Sequence, residues 1–395
     1  MRSMKKRILI FSLVYYPEFI GGAEVAIKEI TDRIGDEFEF DLITLRLSKC
    51  VPTFERIGNV TVYRVGWASS KRIDPTHIPF WVNLNKYMMP LTGFFKAVSL
   101  SRKHHYSVLW SMMATYNSFA ALFVKIIFPQ VKFLLTLQEG DPIPYIKKRA
   151  LPVWPLFKLI FTKADCIQTI SKYLADFGRD MGAKGPVFVV PNAVDIKKFT
   201  REVSEDELSK AKEKLQKKDG DIVLITTSRL VSKNAVEDVI SALKFLPDNM
   251  KFVIAGRGYM EESLKMQARV LGVEQRIVWL GHVSHNEMPA LFRASDMFIR
   301  TPISEGFGNS YVEAMAAGLP CVATEVGGIV DFIRDGETGV FVEVRNPESI
   351  AEGVMRLVKD TELYSKIKRN GFEMVKEKYD WEIIVKEMKN IFENM

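Results

Sequence analysis

The chain has 395 residues, of which 47% are hydrophobic and 26% charged, with a formal net charge of +7. Its length favours two domains of roughly 200 residues each, and its composition excludes a disordered chain. Three scattered cysteines (Cys50, Cys166, Cys321) and five histidines with no HxxxH pair argue against a zinc site and for reduced thiols in a cytosolic protein.

The basic start, Met1 to Arg7, leads into the apolar run Ile8 to Tyr15 and has the outline of an export signal. The run is short, however, and Tyr16-Pro17-Glu18 stands where small cleavage-site residues belong. Arg7–Tyr15 is therefore read as a first buried strand. Further strands are expected at Phe40–Leu45, Val60–Val65, Val108–Trp110, Lys132–Leu137, Cys166–Ile170 and Phe188–Val190. Helical periodicity lies between them, as in Ala23–Ile34, where Ala26, Ile27, Ile30 and Ile34 share one face. No run of about 18 uninterrupted apolar residues occurs, so no transmembrane helix is expected.

Pro191 to Phe199, followed by a charged, strand-free stretch to about Asp219, reads as a hinge. Beyond it, strands are expected at Ile222–Thr227, Lys251–Ala255, Ile277–Leu280, Met297–Arg300, Pro320–Ala323 and Gly339–Val342. Helices at Ala235–Phe245, Glu261–Leu271, Glu287–Ala294, Ser310–Ala317 and Ile329–Arg334 alternate with them. Pro347–Lys359, Glu362–Lys376 and Trp381–Phe392 read as closing helices. Alternating βα units imply parallel sheets covered on both sides, here two Rossmann-like doubly wound α/β domains. Ligands of such sheets bind beyond the carboxyl ends of the strands, so a cleft between two facing domains is the expected active site.

Charge is unevenly divided. Residues 1–190 carry 26 Lys and Arg against 15 Asp and Glu, whereas the remainder carries 29 against 33. Either surface composition drifts along the chain, or the first half meets an anionic acceptor or an anionic membrane. Phe80 to Lys96 mixes aromatics with few charges, and Lys147-Lys148-Arg149 precedes Leu151 to Phe157. Both patterns suit a helix in a membrane interface as well as one buried in a large domain.

The densest chemistry is in Thr301 to Ala316. A strand ends near Arg300, a glycine-containing loop follows, and a helix begins near Asn309, so backbone N–H groups and a positive helix end meet at one point suited to a diphosphate. Asn309 and Ser310 are expected as caps. Glu305 and Glu313 bracket the loop; beside phosphates, carboxylates must face neutral hydroxyls, such as those of a ribose and a sugar. Arg229 and Lys233 follow another strand, where Arg229 can fork two phosphate oxygens and Lys233 can act as a point charge. Gly21 and Gly22, opening a helix after the first strand, allow a close backbone approach to a ligand. Neither they nor Gly256-Arg257-Gly258 have the spacing of a dinucleotide fingerprint.

In this order these pieces resemble the family-four, group 1 glycosyltransferases with the GT-B fold. The resemblance covers almost the whole chain and is strongest from Arg229 to Gly339. Its hallmark is two glutamates separated by seven residues, matched by Glu305 and Glu313. It implies an acceptor-binding domain of residues 1–193 plus 379–395 and a donor-binding domain of residues 194–378. It further implies a retaining, metal-independent hexosyl transfer from a nucleotide-sugar, UDP- or GDP-linked, with no other cofactor. By this likeness Glu305, Arg229, Lys233 and Gln138 form the catalytic set. Gly21, Gly22, Gly256, Phe307, Gly308, Asn309, Ser310 and Glu313 serve the donor, and Glu24, Glu139 and Asp141 the acceptor.

The chain departs from the family pattern twice. Gln138 stands where the family often has a histidine, and Asn234 stands where a lysine usually lies five residues after the arginine, so Lys233 is expected to substitute. A glycan or lipid-linked acceptor, an anionic membrane surface and a cytoplasmic location at the inner face of the membrane complete the expectations. The competing readings are a nucleotide-sugar epimerase of the same fold and a non-catalytic sugar-nucleotide binding protein. Nucleic acid is not expected, because the basic residues are dispersed rather than striped with aromatics.

Overall fold

The computed structural model describes residues 5–73 and 78–395; the first four residues of the basic start lie outside it. The chain divides into two compact units, Met1–Asn192 with Trp381–Met395, and Ala193–Asp380.

The first unit carries β1 (Lys6–Phe11), β2 (Phe38–Leu45), β3 (Phe54–Ile57) and β4 (Val60–Val65). β5 (Val108–Met112), β6 (Lys132–Leu137), β7 (Cys166–Thr169) and β8 (Val187–Val189) complete it. They form one sheet in the order β3-β4-β2-β1-β5-β6-β7-β8. Every pair is parallel except β3 with β4. Ile8 to Phe11 are wholly buried, as the continuous apolar run requires of a central strand covered on both faces. β1 stops at Phe11 rather than Tyr15, because Phe11 pairs with Ser111, next to the last residue of β5, and the strand runs out of a neighbour on that side. The hairpin strand β3 was not expected; it turns into β4 at Gly58, whose φ of 56° is left-handed.

The helix Trp381–Asn394 belongs to this first unit. Its Phe392 packs edge-on against buried Trp110 at 5.1 Å and against Phe38 at 5.8 Å. Lys6 Nζ donates to the carbonyls of Phe392 and Glu393 at the helix end, a cation set where the helix dipole is negative.

The second unit holds β9 (Ile222–Thr227), β10 (Met250–Ala255), β11 (Ile277–Gly281), β12 (Met297–Arg300), β13 (Cys321–Thr324) and β14 (Val340–Val342). Their order is β11-β10-β9-β12-β13-β14, all parallel. Two helical expectations change. Ala235–Phe245 breaks into a 3₁₀ turn Ser232–Asn234, a helix Val236–Ala242 and a second 3₁₀ turn Leu243–Phe245. Ala235 adopts a left-handed φ of 49° between the first two. Ile329–Arg334 is a 3₁₀ turn, Gly327–Asp331, rather than an α-helix. Where the chain passes between units, Val194 N–H donates to the Tyr379 carbonyl at 2.9 Å, so the two connecting segments lie side by side.

Candidate active site

In the second sheet, β9 leads to β10 on one side while β12 pairs with β9 on the other. The order reverses between β9 and β12, so the crevice beyond their carboxyl ends is the topological switch point where open α/β sheets bind ligands. Both leading motifs arrive there: Arg229 and Lys233 follow β9, and Glu305 to Ser310 follow β12. The loops are knitted together. Ile303 N–H donates to the Lys233 carbonyl at 2.8 Å, and Gly328 N–H to the Glu305 carbonyl at 3.0 Å. A Cβ on Gly327 would overlap that same Glu305 carbonyl oxygen, so glycine permits the approach.

Glu305 is almost buried, with 13% of its side chain exposed, and pairs at 2.5 Å with Arg300, 10% exposed, the last residue of β12. Burial alone raises this carboxyl, but the nearby Arg300 and Lys233 charges and the Gly306 N–H overcome it and hold Glu305 below the ordinary carboxylate range. Arg300 also donates to the Asn234 side-chain oxygen at 3.0 Å, while the Asn234 amide donates to the Arg229 carbonyl at 2.6 Å. Asn234, standing where the likeness places a lysine, is thus buried and neutral. The buried cation of the site comes from Arg300 on the neighbouring strand. Arg300 was missed in the sequence, although a cation closing the apolar run Met297-Phe298-Ile299 was a signal.

The pair and the loops that meet at this end of the sheet carry four buried polar atoms with no hydrogen-bond partner among the described residues: Ser228 Oγ, Arg300 Nε, Thr301 Oγ1 and Ser310 Oγ. Buried polar atoms are ordinarily satisfied, and these four belong to the ends of β9 and β12 and to the first turn of the helix Asn309–Ala316. The cap of that helix is Gly308, at φ 100°, rather than Asn309 or Ser310; both lie inside the first turn. A side chain at position 308 would be strained by its backbone and would press on the Tyr311 ring at 2.7 Å. Phe307 turns its ring into the core, 5.2 Å from Phe332 and 5.6 Å from Tyr379.

Glu313, further along that helix, meets His285 Nε2 at 3.0 Å, and Lys198 Nζ lies 2.9 Å from His285 Nδ1. Nothing in the spacing of His285 along the sequence reveals this bridge. Gly256 follows β10, where a Cβ would overlap the Ser228 carbonyl. Its demonstrable role is to let the ends of β9 and β10 lie close.

In the first unit, Gly21 caps the helix Gly22–Ile34, and its N–H is accepted by the Glu24 carboxylate at 2.8 Å. Glu24, expected toward an acceptor, is therefore turned back on its own helix start, where a negative charge suits the dipole. Gln138 and Asn192 pair their amides reciprocally, both contacts at 3.2 Å. Beside them Glu139 is 4% exposed and accepts from Ala114 N–H at 2.6 Å, while its Oε2 has no hydrogen-bond partner among the described residues. Burial pushes the Glu139 carboxyl up to about 7, against the lowering effect of the Ala114 N–H. Asp141 lies two residues further on and is half-buried. Among the described residues, no group of three or more His, Cys, Asp or Glu forms a metal-binding cluster.

Comparison with known proteins agrees over both units. Residues 208–374 match the model for glycosyl transferases group 1, and residues 20–198 that for Glycosyltransferase Family 4. An uncharacterized glycosyltransferase of Methanocaldococcus jannaschii is 26% identical over 397 residues, 98% of this chain and 97% of that one. The alpha-monoglucosyldiacylglycerol synthase of Streptococcus pneumoniae is 23% identical over 327 residues, 80% of this chain and 70% of that one. Among solved structures, Anabaena HepE in complex with UDP and glucose aligns with a TM-score of 0.79 at 19% identity, covering 99% of this chain and all of that one. The fold is accordingly of the GT-B type, two Rossmann-like α/β domains.

Proposed function

We propose, from the premise that this chain belongs to the group 1, family 4 glycosyltransferases, that it transfers a hexose from a UDP- or GDP-sugar with retention of configuration and without a metal ion. The observation that carries this is the buried Arg300–Glu305 pair at the β9/β12 switch point, with unsatisfied polar atoms on the loops that arrive there. Arg229, Lys233 and the start of the helix Asn309–Ala316 would receive the diphosphate, supplying positive charge from side chains and backbone. Glu313 would hold the ribose hydroxyls, and Glu305, kept ionised by its cations, the donor sugar.

In the front-face step this implies, the bond between the anomeric carbon and the phosphate oxygen breaks. The acceptor oxygen bonds to that carbon on the same face, and the acceptor's proton passes to the departing phosphate. The cations stabilise the charge that develops there. Gln138 and Glu139, at the carboxyl end of β6, are assigned to the sugar and acceptor hydroxyls. The acceptor is read as lipid-linked or a glycan at the inner face of the membrane. A relative named for a diacylglycerol glycolipid supports the first choice, as does the basic first half.

The test is a screen of UDP-, GDP- and ADP-sugars for slow donor hydrolysis in the presence of EDTA. One donor should be consumed by the wild type and by neither Glu305→Ala nor Lys233→Ala. Full activity in both variants would overturn the site, and a strict metal requirement would overturn metal independence.

A further inference from the structure

Residues 78–164 contain eleven lysines and arginines and only two acidic residues, Glu139 and Asp141. The rest of residues 1–190 is nearly balanced, fifteen against thirteen. The positive excess of the first half is therefore concentrated in one segment. Within it, the short helix Phe80–Asn83 leads into Asn85–Ser101. The exposed side chains Phe80, Leu84, Met88, Leu91 and Phe95 recur every three or four residues and so line one side of this helical segment. Phe80 is 78% exposed and Phe95 66%.

The other side, with Met89, Gly93 and Ala97, is buried. A Cβ on Gly93 would sit 3.1 Å from that of Ala120, and Phe94 meets Phe123 edge-on at 6.3 Å. This helix is thus apolar on both sides, one covered by protein and the other exposed among the described residues. An ordinary surface helix turns polar residues outward.

A second exposed group adjoins it. Tyr145, Leu151 and Leu156 are exposed on the segment of the helices Ile143–Ala150 and Trp154–Lys163, beside Lys147, Lys148 and Arg149. Tyr116 ties the two groups into one face. Its ring lies edge-on to Tyr87 at 5.1 Å, and its hydroxyl accepts from Arg149 at 3.4 Å.

We propose that this face docks on an anionic lipid bilayer. The Phe80–Phe95 stripe and Leu151 enter the boundary of the acyl chains, and the flanking lysines and arginines reach the headgroup phosphates. No helix among the described residues is long and apolar enough to span a bilayer, so the contact lies along the surface. The single sign of the charge favours a bilayer over a second copy of the chain, since a self-complementary interface would set like charges against each other. The proposal deepens the lipid-linked acceptor reading and rests on it for its purpose, although not for its test.

The test is sedimentation of the full chain with vesicles of phosphatidylcholine alone or mixed with phosphatidylglycerol, free of any acceptor, at low salt. Binding should appear with the anionic vesicles, and brominated lipids should quench tryptophan emission through Trp81, which lies beside the stripe. The variant Leu84→Ser/Leu91→Ser/Phe95→Ser should lower the bound fraction about tenfold while leaving donor hydrolysis unchanged, and Lys147→Glu/Lys148→Glu should abolish the preference for anionic lipid. Absence of wild-type binding to anionic vesicles overturns the proposal. So does unchanged binding by the stripe variant, or a dimer that the stripe variant abolishes without vesicle binding. Vesicle binding by a chain that glycosylates only soluble glycans would sink the lipid-acceptor reading and leave the docking face standing.

Discussion

Replacing Arg300 by leucine removes the cation from a nearly buried ion pair and leaves Glu305 in place. Removing one partner of such a pair costs about 3–5 kcal/mol, because the other charge stays buried and uncompensated. The Asn234 side-chain oxygen also loses its 3.0 Å donor, which falls within that range rather than adding to it. We expect a loss of about 4 kcal/mol in the stability of the second unit at pH 7.5. The pH dependence is more diagnostic. In the wild type, the lowered Glu305 carboxyl contributes stability above the ordinary carboxylate range that is lost as pH falls through its folded value. In the variant, burial is opposed mainly by Lys233, so the carboxyl shifts upward and its cost grows as pH rises. The deficit should therefore be largest near pH 8 and shrink toward pH 4.5. Hydrogen exchange of β9 and β12 peptides, with urea unfolding of the same variants, measures this. A double variant with Glu305→Gln should recover about half the loss. A deficit below about 1 kcal/mol, the scale of an exposed ion pair, or one equal at both pH values would refute the assignment.

Two further outcomes follow from the geometry. Glu139 has a folded pKa raised to about 7, so its protonated form favours the fold; that contribution is complete below the unfolded value and is lost as pH rises from about 4.5 to about 7. Glu139→Gln should accordingly raise the stability of the first unit at pH 8 by up to about 3 kcal/mol and flatten its pH profile, as read by thermal unfolding; parallel profiles would contradict the buried carboxyl. Gly256→Ala should lower the urea midpoint of the second unit by an amount corresponding to about 1–3 kcal/mol, since its Cβ overlaps the Ser228 carbonyl. An unchanged midpoint would show that the β9 and β10 ends are not locked together.

The regular parts of the fold were legible because their signals are local. Apolar runs such as Ile8 to Phe11 and Val223 to Ile225 are buried strands, and the turn from β12 into the helix at Asn309 appears in the order of residues alone. Gly58-Asn59 was a legible hairpin turn that was passed over. What remained hidden depends on neighbours distant in sequence. Asn234 and Arg300 are 66 residues apart and Lys198 and His285 are 87 apart, and only the sheet order brings the first pair together. The capping contact of Glu24 on Gly21 was short-range but ambiguous, because a carboxylate at a helix start can face its own backbone or a ligand equally well. The left-handed turn at Ala235 carries no glycine to announce it.

The placement of Trp381–Asn394 has a temporal consequence. Trp110, on a central strand of the first sheet, is covered in part by Phe392, which is synthesised after the whole second unit. The segment up to Asn192 thus precedes the second unit in synthesis but lacks this aromatic cover until Trp381–Asn394 has followed that unit. Contacts this distant in sequence slow folding and prolong exposure to aggregation. The second unit closes on strands of its own, so of the two units the one begun earlier is the one completed later.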